Sequence, residues 1–201
     1  MWRKIPITLI YLRLVLGLVV LLLSMWVVSG YKWFALSLLT IGLLTDVFDG
    51  IVARRLHIST QRLRRLDSTV DQIFFITIAL ATYLQCPDFF YTNKLQLFVL
   101  LAAEGLAYGV CFWRFKKEVA THSIGAKIWT LFLFATLVEV ILRCQSTFLF
   151  QCCFWIGILS RAEIIAILCV LKTWANDVPT LFHALKLRQG KAIKRHKWFN
   201  G

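Results

Sequence analysis

The chain has 201 residues, of which 59% are hydrophobic and 16% charged, and its mean hydropathy is +0.72. A soluble domain carries about a quarter charged residues, so too little polar surface is present for a water-facing globule, and a soluble enzyme is excluded. The net charge of +13 comes from 23 Lys and Arg against 10 Asp and Glu; in a chain largely embedded in a bilayer it points to cytoplasmic loops and anionic headgroups, not to nucleic acid.

In chain order, the opening MWRKIPIT has no small-residue cleavage site before a long apolar stretch, so it is expected to be retained rather than removed as a signal peptide. Apolar runs of about 20 residues predict six transmembrane helices, near 8–29, 33–53, 67–85, 95–115, 126–143 and 148–174. The expected fold is an all-α, polytopic membrane protein. With the N-terminus in the cytoplasm, one side collects Arg3, Lys4, Arg54, Arg55, Arg62, Arg64, Arg65, Arg114, Lys116, Lys117 and Lys127. The tail adds Lys186, Arg188, Lys191, Lys194, Arg195 and Lys197, whereas the opposite side holds Lys32, Lys94 and Arg143. The positive-inside rule therefore predicts that both termini are cytoplasmic.

Residues 1–176 read as one transmembrane catalytic domain and 177–201 as a basic cytoplasmic tail. The tail mixes Leu181, Phe182, Leu185 and Leu187 with basic residues, and two readings are open: a segment lying along an anionic membrane surface, or a solubilised end. The six cysteines form no CxxC pair, so no zinc site is expected. Cys86 and the Cys144–Cys153 group fall on one side of the membrane, but free thiols are the favoured reading over a disulfide. Gly105 and Gly109 form a GxxxG in the fourth span, attributed to chance or to packing within the chain ahead of dimerisation. The eight tryptophans suit interfacial anchoring.

Ionisable groups inside spans cost free energy and are functional candidates. Asp46 and Asp49 end the second span in LLTDVFDGIVARRL, and Asp67 and Asp71 open the third in LRRLDSTVDQIFF. At 100° per residue, Asp46, Asp49, Gly50, Ala53 and Arg54 share an arc of about 140°. Asp67 and Asp71 are i, i+4 neighbours on one face, and the short connector allows the two acidic faces to oppose. Four converging carboxylates would repel one another, and divalent cations resolve that. With oxygen ligands alone, Mg²⁺ or Mn²⁺ is favoured, and two ions would suit phosphoryl chemistry. Arg54 offers a fork for a diphosphate, and the small Gly50 and Ala53 let a ligand approach the backbone. The bland alternative, in which the aspartates pair with Arg54, Arg55, Arg64 and Arg65 at headgroup level, is disfavoured for four carboxylates at this spacing.

This stretch resembles the signature of the CDP-alcohol phosphatidyltransferases, D-x2-D-G-x2-A-R-x8-G-x3-D-x3-D. Asp46, Asp49, Gly50, Ala53, Arg54, Asp67 and Asp71 stand at the signature positions with every spacing kept, and Leu63 stands where the signature has its second glycine. Weaker similarities are Pro6 and Arg13 in a P-N-x-x-T-x-x-R-like opening, and Lys127 and Thr130 in a G-K-x-K-T-like stretch. The resemblance implies transfer of a phosphatidyl-type group from a CDP-linked lipid, such as CDP-diacylglycerol, to a small polar alcohol, with release of CMP. It implies Asp46, Asp49 and Asp67 as metal ligands and Asp71 as general base, itself within reach of a metal. It further implies Gly50, Ala53 and Arg54, with Asp46 and Asp49, at the CDP site, and a homodimer as a common assembly.

Glycerol 3-phosphate is the first acceptor to consider, with Arg114 and Lys127 as candidate ligands for its phosphate; plain positive-inside charge explains the same two residues. Arg13 has two open placements, snorkelling to the interface or facing the polar cavity. Glu104 and Glu139 lie in spans on faces that periodicity does not place, and Arg161 and Glu163 point apart. A divalent-cation transporter is a rival reading, disfavoured because the aspartates cluster at one interface without a matching carboxylate pair near the midplane. A non-catalytic relative that binds CDP-lipid is a second rival, suggested by Leu63.

Overall fold

The computed structural model describes residues 5–26, 30–55, 60–117, 123–175 and 178–191. Among these there is no strand. The helices are α1 (Ile5–Met25), α2 (Tyr31–Arg55), α3 (Gln61–Gln85), the short α4 (Pro87–Thr92), α5 (Lys94–Phe115), α6 (Ile124–Arg143), α7 (Phe148–Val170) and α8 (Leu181–Arg188). Stretches of α1, α2, α5, α6 and α7 are long and apolar enough to cross a membrane, namely Pro6–Met25, Tyr31–Val52, Lys94–Phe115, Ile124–Arg143 and Phe148–Val170. The chain is an all-helical, polytopic integral membrane protein. The remaining expected span, 67–85, lies within α3, whose first turns carry Asp67 and Asp71 and are too polar to match the other five.

The helices pack as two units, residues 1–90 with 137–145, and residues 91–136 with 146–201. In the first unit, α1 packs on α2 and on α3. Each helix turns one stripe inward with steps of three and four residues, the repeat of helix faces that meet along their length. On α1 the stripe is Pro6, Ile10, Arg13, Gly17, Val20 and Ser24; on α2 it runs through Ala35, Leu39, Gly42 and Asp49; on α3 through Val70, Phe74, Ile78 and Ala81. The Phe74 ring occupies the space that two glycines leave. A Cβ at Gly17 would lie 3.2 Å from the ring, and one at Gly42 would fall on the ring itself.

The far end of this unit is tied by polar contacts. Gln85 Nε2 donates to Ser24 O at 2.6 Å, and Lys32 Nζ donates to Leu142 O at 3.1 Å, satisfying a carbonyl at the end of α6. Cys86, which caps α3, is bonded to Cys144, 58 residues away. The expectation of free thiols is overturned for this pair: helix packing brings two distant cysteines within bonding reach, which spacing along the chain does not reveal. Cys111, Cys152, Cys153 and Cys169 carry free thiols.

In the second unit, α5 packs on α7 through Ala107, Cys111, Ile164 and Leu168. The tail helix α8 docks on the end of α7, with Ala184 buried against Ile167, Leu171 and Val178. Residues 181–188 of the expected tail are therefore an ordered helix whose Phe182 and Leu185 are exposed beside Lys186 and Arg188; its basic end, 192–201, lies outside the described residues. Nothing packs against Gly105 or Gly109 within 4 Å of a built Cβ, so of the two favoured readings of this GxxxG, chance or packing within the chain, the packing is not found among the described residues.

Candidate active site

The inward stripes of α2 and α3 carry their charge near one end, that of α1 carries Arg13 near its middle, and the packing brings these ionisable members together. Arg13, 1% exposed, projects from α1 into the four aspartates. Its Nη2 lies 2.5 Å from Asp49 Oδ2, and its Nη1 lies 3.3 Å from both Asp46 Oδ1 and Asp67 Oδ1. The same Nη1 is ion-paired with Asp71 Oδ1. Asp49 is 3% exposed, and the other three carboxylates are half-buried. Of the two open placements for Arg13, the cavity is the one found. A lone ionisable residue in the otherwise apolar first span was the sequence signal for it.

The donor set suits a hard divalent cation. Asp46, Asp49 and Asp67 each present a ligand oxygen, and the three oxygens lie within 4.8 Å of one another. Oxygens on opposite sides of an octahedral Mg²⁺ stand about 4.2 Å apart and those around a Ca²⁺-sized ion about 5 Å apart, so the three could hold one ion, a Mg²⁺ drawing the widest pair a few tenths of an ångström closer. Asp71 Oδ1, held by the same guanidinium, brings a fourth carboxylate beside these three.

Gly50 follows Asp49 on α2 and is half-buried. Ala53 and Arg54 continue the same helix, and their side chains lie outside the described residues. Leu63 sits in the first turn of α3, where its N–H donates to Thr60 Oγ1 at 3.2 Å. That bond caps the helix carrying Asp67 and Asp71.

The family model for CDP-alcohol phosphatidyltransferase matches residues 3–174. The chain belongs to that family. It is a transferase of phospholipid synthesis, embedded in a membrane. Neither a curated protein nor a solved structure matches it.

The two cations expected at the acceptor belong to the transferase's second unit. Arg114, near the end of α5, donates from Nη2 to Leu171 O at 3.1 Å and so satisfies the carbonyl that caps α7. Lys127 is exposed in the first turn of α6. That unit also holds a charged pair inside its spans that periodicity left unplaced. Arg161, buried on α7, is ion-paired with Glu104 of α5 and lies 4.0 Å over the Trp129 ring of α6. The signal was in the sequence, as opposite charges in two different apolar spans; the partner assignment was not.

Proposed function

We propose that the transferase moves a phosphatidyl group from CDP-diacylglycerol to a small polar alcohol, glycerol 3-phosphate first among candidates, at the cytoplasmic face of its membrane. One observation carries this reading: four aspartates from the signature, on two helices, converge on one point at one end of their unit. Asp46, Asp49 and Asp67 are assigned to hold Mg²⁺ or Mn²⁺, in a pair of ions. Bound there, the cations would draw charge from the diphosphate and ease departure of CMP.

The residues of the chain do the remaining work. Gly50 and Ala53 leave room for the cytidine diphosphate against α2, and Arg54 supplies a guanidinium fork for it. Asp71 takes the proton of the acceptor hydroxyl. The acceptor oxygen then bonds to the phosphorus that carries the lipid, the bond from that phosphorus to CMP breaks, and CMP leaves with the electron pair. Arg114 and Lys127 are assigned to a phosphate on the acceptor, and a second copy of the chain is the expected partner.

The test is CMP release by the purified protein from CDP-diacylglycerol, with Mg²⁺ or Mn²⁺, across a panel of alcohols. Release that depends on one alcohol is expected, and Asp71→Asn is expected to slow it by about 10²–10⁴-fold, the range of general base catalysis. Undiminished release by Asp71→Asn would remove its assignment as base. No release with any alcohol, and no binding of CDP-lipid, would end the transferase reading of this site.

A further inference from the structure

The cluster contains its own cation. Four carboxylates surround one guanidinium that is 1% exposed. Without Arg13 and without metal, the carboxylates would face one another in a site of low dielectric, and their repulsion would drive α2 and α3 apart or force protons onto them. With two divalent cations and Arg13 all inside the ring, positive charge would exceed the four negative charges, and Nη1 would stand against ions that compete for the same oxygens. Arg13 Nε is buried without a hydrogen bond, so the fork is held by the aspartates at its two Nη atoms and by no hydrogen bond at its stem nitrogen. The guanidinium can leave the ring at no cost in hydrogen bonds at Nε.

We infer that Arg13 is the resident counter-ion of the metal-free transferase: it holds the four aspartates together until cations bind, and it competes with them. The inference rests on the metal assignment above. Competition between two occupants of one site is a coupling free energy, and it acts equally in both directions. Removing the guanidinium must therefore strengthen metal binding and weaken the metal-free fold.

The experiment is Mn²⁺ titration of the purified protein followed by electron paramagnetic resonance, with thermal unfolding measured in EDTA and in saturating Mn²⁺. Arg13→Gln is expected to bind Mn²⁺ about tenfold or more tightly than the wild type, within the usual range of such couplings. It is also expected to unfold at a lower temperature in EDTA and to recover most of that loss in Mn²⁺. Arg13→Lys keeps the charge and should bind Mn²⁺ within a few-fold of wild type, so it serves where Arg13→Gln fails to fold, with Arg13→Met as its uncharged counterpart. Weaker or unchanged Mn²⁺ binding by the uncharged variants would overturn the inference, as would equal losses of stability with and without metal. Should neither the wild type nor an uncharged variant bind Mn²⁺, both this inference and the metal assignment fall; binding by the wild type with no gain in the variants sinks the counter-ion alone.

Discussion

Among the described residues, two arginines lie buried in the helices of this transferase, and each is held differently. Arg13 is shared among four carboxylates, whereas Arg161 has one carboxylate partner, Glu104, and an aromatic face, Trp129. Arg161 Nη1 also donates to Ser160 Oγ at 3.3 Å, but Glu104 is the carboxylate that balances its charge. Removing one side of such a pair costs about 3 kcal/mol or more, while replacing both with apolar side chains of similar size is close to neutral. Arg161→Ala is therefore expected to lower the thermal unfolding temperature in detergent by several degrees. The double variant Arg161→Leu with Glu104→Leu should recover most of that loss. A double variant as unstable as the single one would show that the pair does more than neutralise charge. The stack on Trp129 contributes as well, at about 1–2 kcal/mol for a desolvated cation over a ring.

At the scale of helices, contact between α1, α2 and α3 depends on two glycines and one phenylalanine. Gly17 and Gly42 have no role in a turn; both are helical, and their lack of a side chain admits the Phe74 ring between the three backbones. This packing sets the relative height of the three stripes, so that Arg13, near the middle of α1, meets the aspartates. Gly42→Leu should push the ring aside and destabilise the fold by about 1–3 kcal/mol, the usual cost of overfilling a packed core, with loss of turnover because Asp46 and Asp49 follow on the same helix. Phe74→Ala in the Gly42→Leu background should restore part of the stability, because the two changes act in one space and their effects are not additive. Additive losses would place the clash elsewhere. Gly157 on α7 has the same function in the second unit, where a Cβ would come within 2.7 Å of Leu100 and of Trp129.

At the scale of the first unit, its two ends differ in chemistry. On α3, Asp67 and Cys86 are 19 residues apart, about 28 Å along a helix, close to the thickness of the hydrocarbon layer of a bilayer. With α3 crossing the bilayer, as its length and the proposed layout require, the acidic cluster would face one aqueous compartment and the Cys86–Cys144 disulfide the other. Disulfides persist where the surroundings oxidise them, and positive charges collect on the cytoplasmic side; the proposed cytoplasmic placement of the aspartates agrees with both rules. In sealed vesicles of known orientation, a membrane-impermeant reductant is expected to open this disulfide from the non-cytoplasmic face alone, read by maleimide labelling in a variant lacking the four free cysteines. Opening from the cytoplasmic face would reverse the orientation. Closing a loop of this length is worth about 4 kcal/mol by chain entropy, so reduction should also lower the unfolding temperature.

Local features of the sequence determined the helical spans and the acidic motif. Apolar length reports a span because every residue of the run faces the same solvent, and the spacing of Asp46, Asp49, Asp67 and Asp71 along two helices dictates that each pair shares a face. The polar first turns of α3 made that span the weakest by composition, although its helix is as long as α2. Only the tertiary structure decided which distant residues meet. Arg13 joins Asp67 across 54 residues, Arg161 joins Glu104 across 57, and Cys86 joins Cys144 across 58. Each pairing depends on the rotation and height of packed helices, which Gly17, Gly42 and Gly157 set through the side chains they admit, and periodicity within one helix carries no information about its neighbour's height. The guanidinium at the centre of the aspartates is thus a property of the packing, although every charge that takes part is written in the chain.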